Sequence, residues 1–218
     1  LAQSYFDSQQ WEKAEETYIK RAEMGGWEEE AYYSLYRVAM IKAIRNQPWT
    51  EIHQAFLAAW EYRPIRAEPL YQLARLYREV HDKPRLGYLY AKMAIEIPYP
   101  HQDILFISDD VYKWQILDEI GATGYYAGKP HVGYHACKRL VDENLVPEGH
   151  KERISANYKQ YETVMQEIHM VEANKHMENE MEKMKQKKDD KETKRNTPKK
   201  STKTNQIKRG KKRAKSQR

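Results

Sequence analysis

The stretch "AWEYRPIRAEPLYQLARLYREV", residues 59–80, decides how the rest of the chain is read. Pro64 and Pro69 stand five residues apart between runs of helical spacing. Pro64 closes one helix, because a proline ring removes a backbone donor and clashes with the preceding turn. Pro69 falls in the first turn of the next helix, where a missing N–H costs little. The segment then settles into Leu73-Ala74-x-x-Tyr77. This is the expected joint between two units of a helical repeat.

The pattern recurs on both sides. Leu1, Ala2, Tyr5, Ala14, Tyr18 and Ala22 are matched 72 residues later by Leu73, Ala74, Tyr77, Leu86, Tyr90 and Ala94. That distance is two repeats of about 36 residues, a period typical of stacked helix–turn–helix solenoids. Residues 1–23 read as a helical pair broken around Asp7–Gln10. Residues 28–45 read as a helix with Tyr32, Leu35, Tyr36, Val38, Ala39 and Ile41 inward. Residues 50–62 read as its partner, with Thr50 as N-cap after the Pro48-Trp49 turn. A further pair is expected near 111–126 and 130–144, across Gly128-Lys129-Pro130. Residues 99–110, "YPHQDILFISDD", interrupt the array as an insert.

The expected fold is therefore all-α. It is a tetratricopeptide-like α-α superhelix over 1–149, a long helix over 150–186 and a disordered basic tail over 187–218. The chain opens on Leu1-Ala2-Gln3-Ser4-Tyr5, already inside an apolar helical pattern. It reads as a fragment whose N-terminal portion lies outside the sequence, with an apolar face left uncovered.

Charge is divided unevenly. The formal net charge of +6 over 218 residues conceals two regimes. Lys175–Arg218 carries 18 Lys and Arg against 6 Asp and Glu, while residues 1–174 carry 20 against 26. The body is mildly acidic and the tail strongly basic. In the tail, Lys208, Arg209, Lys211, Lys212, Arg213 and Lys215 have the density of an import signal or a nucleic-acid patch. With no aromatic beside them to stack on bases, any such binding would be non-specific and salt-sensitive.

Single Cys137 excludes an intrachain disulfide and suits a reducing, cytoplasmic setting. The tail adds a nuclear or viral-factory address to that expectation. No apolar run approaches the roughly 20 residues that span a bilayer, and no signal-peptide pattern is read.

Candidate chemistry is sparse. His131-x3-His135 places two imidazoles on one helix face near Cys137, but no further ligand stands at metal spacing. Asp109-Asp110 with Asp103 resemble the paired acids that hold a metal–diphosphate, yet they precede the helical run "DDVYKWQILDE", where an N-cap is the simpler account. No Gly-rich phosphate loop, nucleophile elbow or Cys–His pairing is found. The reading assigns no catalytic, cofactor or metal residue within this chain. The many Tyr and Trp side chains fall mainly on periodic packing positions, with a ligand groove as the alternative.

Specific strings go further than period alone. "KRAEMGGWEEEAYYSLYRVA" (20–39), "AWEYRPIRAEPLYQLARLYRE" (59–79), "IPYPHQDILFISDDVYKWQILDEI" (97–120) and "YYAGKPHVGYHACKRLV" (125–141) carry the resemblance. Together they resemble the helical-repeat region that follows the catalytic domain in tetratricopeptide-containing, family-two-type glycosyltransferases of bacteria and large DNA viruses. The resemblance spans about residues 1–165, and the basic tail departs from it. It implies a non-catalytic arm that positions an acceptor or partner protein for sugar transfer by a domain preceding residue 1. Residues not needed for packing are the candidate contacts: Trp27, Arg63, Arg66, Glu68, Tyr99, His101 and Asp103. Arg63 and Arg66 suit planar, two-point contacts with a diphosphate or acidic partners, and the alternative for them is an internal pair with Glu61 or Glu68. A free-standing tetratricopeptide-type adaptor with a localising or nucleic-acid-binding tail is the second reading.

Overall fold

The computed structural model describes the backbone of residues 1–196, and their side chains except those of 190 and 192–196. The basic cluster 208–215 lies outside the described residues. Among the described residues the chain is all-helical, with no strand. The helices are α1 (Ala2–Asp7), α2 (Trp11–Glu23), α3 (Glu28–Ile44), α4 (Trp49–Tyr62), α5 (Glu68–Glu79), α6 (Pro84–Ile95), α7 (Ile116–Thr123), α8 (Pro130–Asp142) and α9 (Glu148–Asn196). A π-turn, Val111–Gln115, leads into α7.

The expected helices form, with three differences. Helix α4 begins at Trp49 with Pro48 in the N-cap position, so Thr50 lies inside the first turn and caps nothing. The Pro48 ring holds a φ of −51°, already suited to helix entry, and moves the start forward. Asp110 precedes the π-turn without a side-chain capping bond. Helix α9 runs past its expected end at 186 as far as Asn196, because Lys, Glu and Gln are good helix formers even without an apolar face.

The described residues divide into two units, one of Leu1–His169 and one that begins at Met170. In the second, Met170, Val171, Met177, Met181 and Met184 are exposed along the helix.

Within the first unit, each helix from α1 to α8 packs on its neighbour in sequence. The core follows as a succession of apolar clusters. Ala14 and Tyr18 of α2 meet Val38 and Ile41 of α3. Ala39, Ile52 and Phe56 meet Leu73 and Leu76 of α5. Leu70 and Ala74 then join Ala91, Trp114, Ile120, Leu140 and Ile154. Helix α5 is the hinge of the last two, and its Leu70, Leu73, Ala74, Leu76 and Tyr77 are all buried.

The joints are of two kinds. Gln9, Gly25, Asn46, Asp82, Gly128 and Asn144, one in each of six connections, take left-handed φ values between 47° and 69°. Such a residue turns the chain out of a helix while the freed carbonyls are bonded from beyond it. Gln47 N–H thus reaches Lys42 O at 3.0 Å, and Leu145 N–H reaches Leu140 O at 3.2 Å. The α4–α5 joint and the α6 end use Pro64 and Pro98 instead. These two proline-ended segments are the ones that meet in the site described next.

Candidate functional site

Arg66 lies between α4 and α5 and is 1% exposed. Burying a guanidinium is costly unless every N–H is bonded and the charge is matched. Both conditions are met. Nε and Nη2 of Arg66 donate to Glu68, the latter at 2.7 Å. Nη1 donates to Asp103 Oδ2 at 3.2 Å and to Leu105 O at 3.2 Å. Nη2 also donates to Phe106 O at 3.0 Å. One side chain thereby ties the α4–α5 joint to the 99–110 insert.

Further residues complete the network. Arg63 grips Asp103 with two donors, Nε at 2.8 Å, and reaches Glu28 on the outside. Glu29, buried at the start of α3, accepts the N–H groups of Ile104 and Leu105, both at 2.8 Å. Glu68 Oε2 accepts the Tyr112 hydroxyl at 2.8 Å, and that hydroxyl accepts Ala67 N–H at 3.0 Å. Tyr32 places its ring 4.6 Å from the Arg66 guanidinium. Three buried carboxylates therefore face two arginines, and backbone N–H groups and the Tyr112 hydroxyl solvate the excess negative charge.

Protonation follows from this arrangement. The Arg63 hydrogen bond holds the Asp103 carboxyl below its ordinary range against the opposing effect of burial. Burial works against the Arg66 charge, but the bonds to Glu68 outweigh it and raise its pKa. Burial pushes the Tyr32 and Tyr112 hydroxyls well up, so both stay protonated.

The insert is therefore fixed by its backbone. Glu29 takes two of its N–H groups, Arg66 takes two of its carbonyls, and Asp103 turns its carboxylate inward, while Ile104 and Phe106 turn outward. Ile104 is 81% exposed and Phe106 is 60% exposed. Phe106 takes a left-handed φ of 48°, unusual for a bulky residue. Its ring stacks on Tyr33 with centroids 4.3 Å apart.

Of the sequence-derived candidates, Arg63, Arg66, Glu68 and Asp103 come together here, three of them buried and paired with one another. The Arg66–Glu68 pair is the expected internal one. Arg63 pairs with Asp103 and Glu28, not with Glu61. Tyr99 sits at the rim, donating its hydroxyl to Asp109 at 2.8 Å, with the exposed His101 ring beside it. Trp27 is half exposed at the start of α3. Sequence reading did not single out Glu29 or Tyr112. Glu29 stands in the run Glu28-Glu29-Glu30, where nothing marks which acid turns inward.

The other candidates stay apart. Asp109 faces Tyr99 and Lys113. His131 and His135 lie in the first turns of α8, and Cys137 is buried against Gly121. Among the described residues, no group of three or more His, Cys, Asp or Glu side chains could hold a metal ion. No described helix is long and apolar enough to cross a membrane. No protein-family model, curated protein or solved structure matches the chain.

Proposed function

We propose that this chain is a tetratricopeptide-like helical-repeat arm, non-catalytic in itself, that uses the 99–110 insert to hold a protein partner. Stepwise packing of neighbouring helices supports the repeat reading, since solenoid units contact mainly their neighbours. One observation carries the interaction role. The insert is bonded through its backbone to buried Arg66 and Glu29, yet it exposes Ile104 and Phe106. Exposed apolar side chains on a loop held this firmly reduce the ordering cost of binding.

The resemblance to glycosyltransferase repeat regions supplies the partner's class, a sugar-transfer domain or the acceptor protein that it modifies. Such an arm would act by holding the acceptor close to the transferring domain. The free-standing adaptor reading shares the same surface and differs only in the partner.

Site-specific photo-crosslinking tests both. A photoreactive amino acid at position 104, in the full chain expressed in its native cells, is expected to capture a sugar-transfer domain or its acceptor. The same probe at buried Leu73 should capture neither. Capture of proteins unrelated to sugar transfer would favour the adaptor. Equal labelling from both positions, or none, would sink the insert as the contact.

A further inference from the structure

A cavity of about 500 Å³ opens elsewhere in the first unit, among the α5–α6 turn, the end of α7 and the first turns of α9. That volume suits a small organic ligand. Its wall is polar and aromatic, and the chemistry of that wall narrows the occupant.

Two tyrosines form the rim. Tyr125 and Tyr126 are 56% and 57% exposed, with ring centroids 5.8 Å apart and planes at 85°. They offer two perpendicular apolar faces. Their backbone is clamped from both sides. Tyr161 of α9 accepts Tyr125 N–H at 2.9 Å, and Arg85 of α6 donates to Tyr126 O at 3.0 Å.

The α9 side adds neutral hydrogen-bonding groups. Asn157 and Gln160, one helical turn apart on α9, line the cavity. Neither amide takes part in any hydrogen bond among the described residues, so both keep donor and acceptor capacity. The arginines of the wall are already engaged. Arg78 is bonded twice to Glu119, at 2.8 and 2.7 Å. Arg153 is bonded twice to Asp118, at 2.9 and 2.7 Å. Asp82 adds a carboxylate to the same wall. An anionic ligand would have to compete with these carboxylates.

Exposed aromatic faces, unengaged amides and arginines already paired with carboxylates together fit a neutral polyhydroxylated ligand. Its C–H faces would stack on tyrosine while its hydroxyls bond to the amides. We propose that this cavity is a binding site for a neutral saccharide. The site uses no residue of the insert, and it would serve a free-standing adaptor as well as an enzyme's arm. Its failure would leave the insert's role standing, and the converse holds too.

The test screens the full chain against an array of neutral, sulfated and phosphorylated oligosaccharides. Ligand-observed NMR of each bound sugar follows, with inorganic phosphate as a separate arm. Neutral oligosaccharides are expected to bind at millimolar concentration. Tyr126→Ala and Asn157→Ala should each weaken binding about tenfold, the scale of one lost stacking or hydrogen-bonding contact. Ile104→Ser in the insert should leave binding unchanged. An unaltered unfolding midpoint for both cavity variants would show that they remain folded. The proposal is overturned by an array without neutral binders, or by binding that survives both cavity substitutions. It is also overturned if only charged sugars or phosphate bind, and if that binding is lost on replacing Lys83 and Arg85, which flank the adjoining groove.

Discussion

Where α7, α8 and α9 meet, the packing depends on side chains that are absent; where α4 and α5 meet the insert, it depends on charge. At the first place, a Cβ on Gly133 would stand 2.1 Å from Tyr161 Oη and 2.4 Å from the ring carbon bearing it. A Cβ on Gly121 would stand 2.6 Å from Cys137 Sγ. Cys137 of α8 takes the space at Gly121, and α9 inserts Tyr161 into the space at Gly133, its hydroxyl donating to Gly121 O at 2.8 Å. Burial pushes that hydroxyl up to about 12, so it keeps the proton it donates. At the second place the ties are electrostatic. The contact is a set of hydrogen-bonded ions with Arg66 at the centre. A steric joint fails when an atom is added, and an ionic joint fails when a partner is removed.

That contrast can be broken most sharply at Arg66. Replacing it by Met keeps much of the volume but leaves Glu68 and Asp103 buried without their shared cation. We expect a loss of about 3–5 kcal/mol in urea unfolding, the usual cost of orphaning a buried ion pair. Arg66→Lys should recover only part of this, because one ammonium cannot reach two carboxylates and two carbonyls in the geometry of a planar fork. Full recovery by Lys would show that charge alone matters there.

The steric joint should respond next most strongly. Gly133→Ala forces Tyr161 to move and is expected to destabilise by about 1–3 kcal/mol. Adding Tyr161→Leu to the Gly133→Ala variant should cost less than Tyr161→Leu costs in the parent. Additive costs in that double-mutant cycle would mean the two side chains do not compete for the same space.

The smallest effect is the dependence on pH, and it should separate the two joints. The folded carboxyl of Asp103 lies below its unfolded value of 3.8. Its contribution is thus fully present above that value and is lost as the pH falls through the lower folded value. Stability measured by urea unfolding should therefore decline less steeply below pH 3.8 in Asp103→Asn than in the parent. Gly133→Ala should shift stability at every pH while keeping the parent's acid slope, since its defect is not ionic. A Gly133→Ala variant with a flattened acid limb would contradict this division.

Much of the helical layout was legible in residues 59–80 and their echoes, because helix periodicity and proline placement act over a few neighbours. Pro64 ends α4 and Pro69 opens α5 as their backbone chemistry requires. The Arg66–Glu68 pair was also legible, since its partners stand two positions apart. Thr50 misled because it is a good cap in isolation, whereas the proline two residues earlier starts the helix sooner.

The candidate site itself was only half legible. Arg63, Arg66, Glu68 and Asp103 were singled out by type, but their union was not, because 37 residues separate Arg66 from Asp103. No local pattern says which acid in Glu28-Glu29-Glu30 turns inward to bond the insert. The glycines of the α7–α9 contact carry no signal either. A glycine that admits a neighbouring helix reads the same as one that merely loosens a turn.

By itself the sequence determined the helices, most of their ends and the places where proline takes over from a left-handed cap. Those features follow from torsional limits and hydrogen bonds a few residues apart. Only the tertiary structure decided that the two proline-ended segments meet and that Arg66 joins them. It alone decided that the insert turns backbone groups and Asp103 inward and Ile104 and Phe106 outward. Desolvation makes that choice: once the insert closes over the joint, each buried charge and each backbone polar group must find a partner, and this arrangement supplies them.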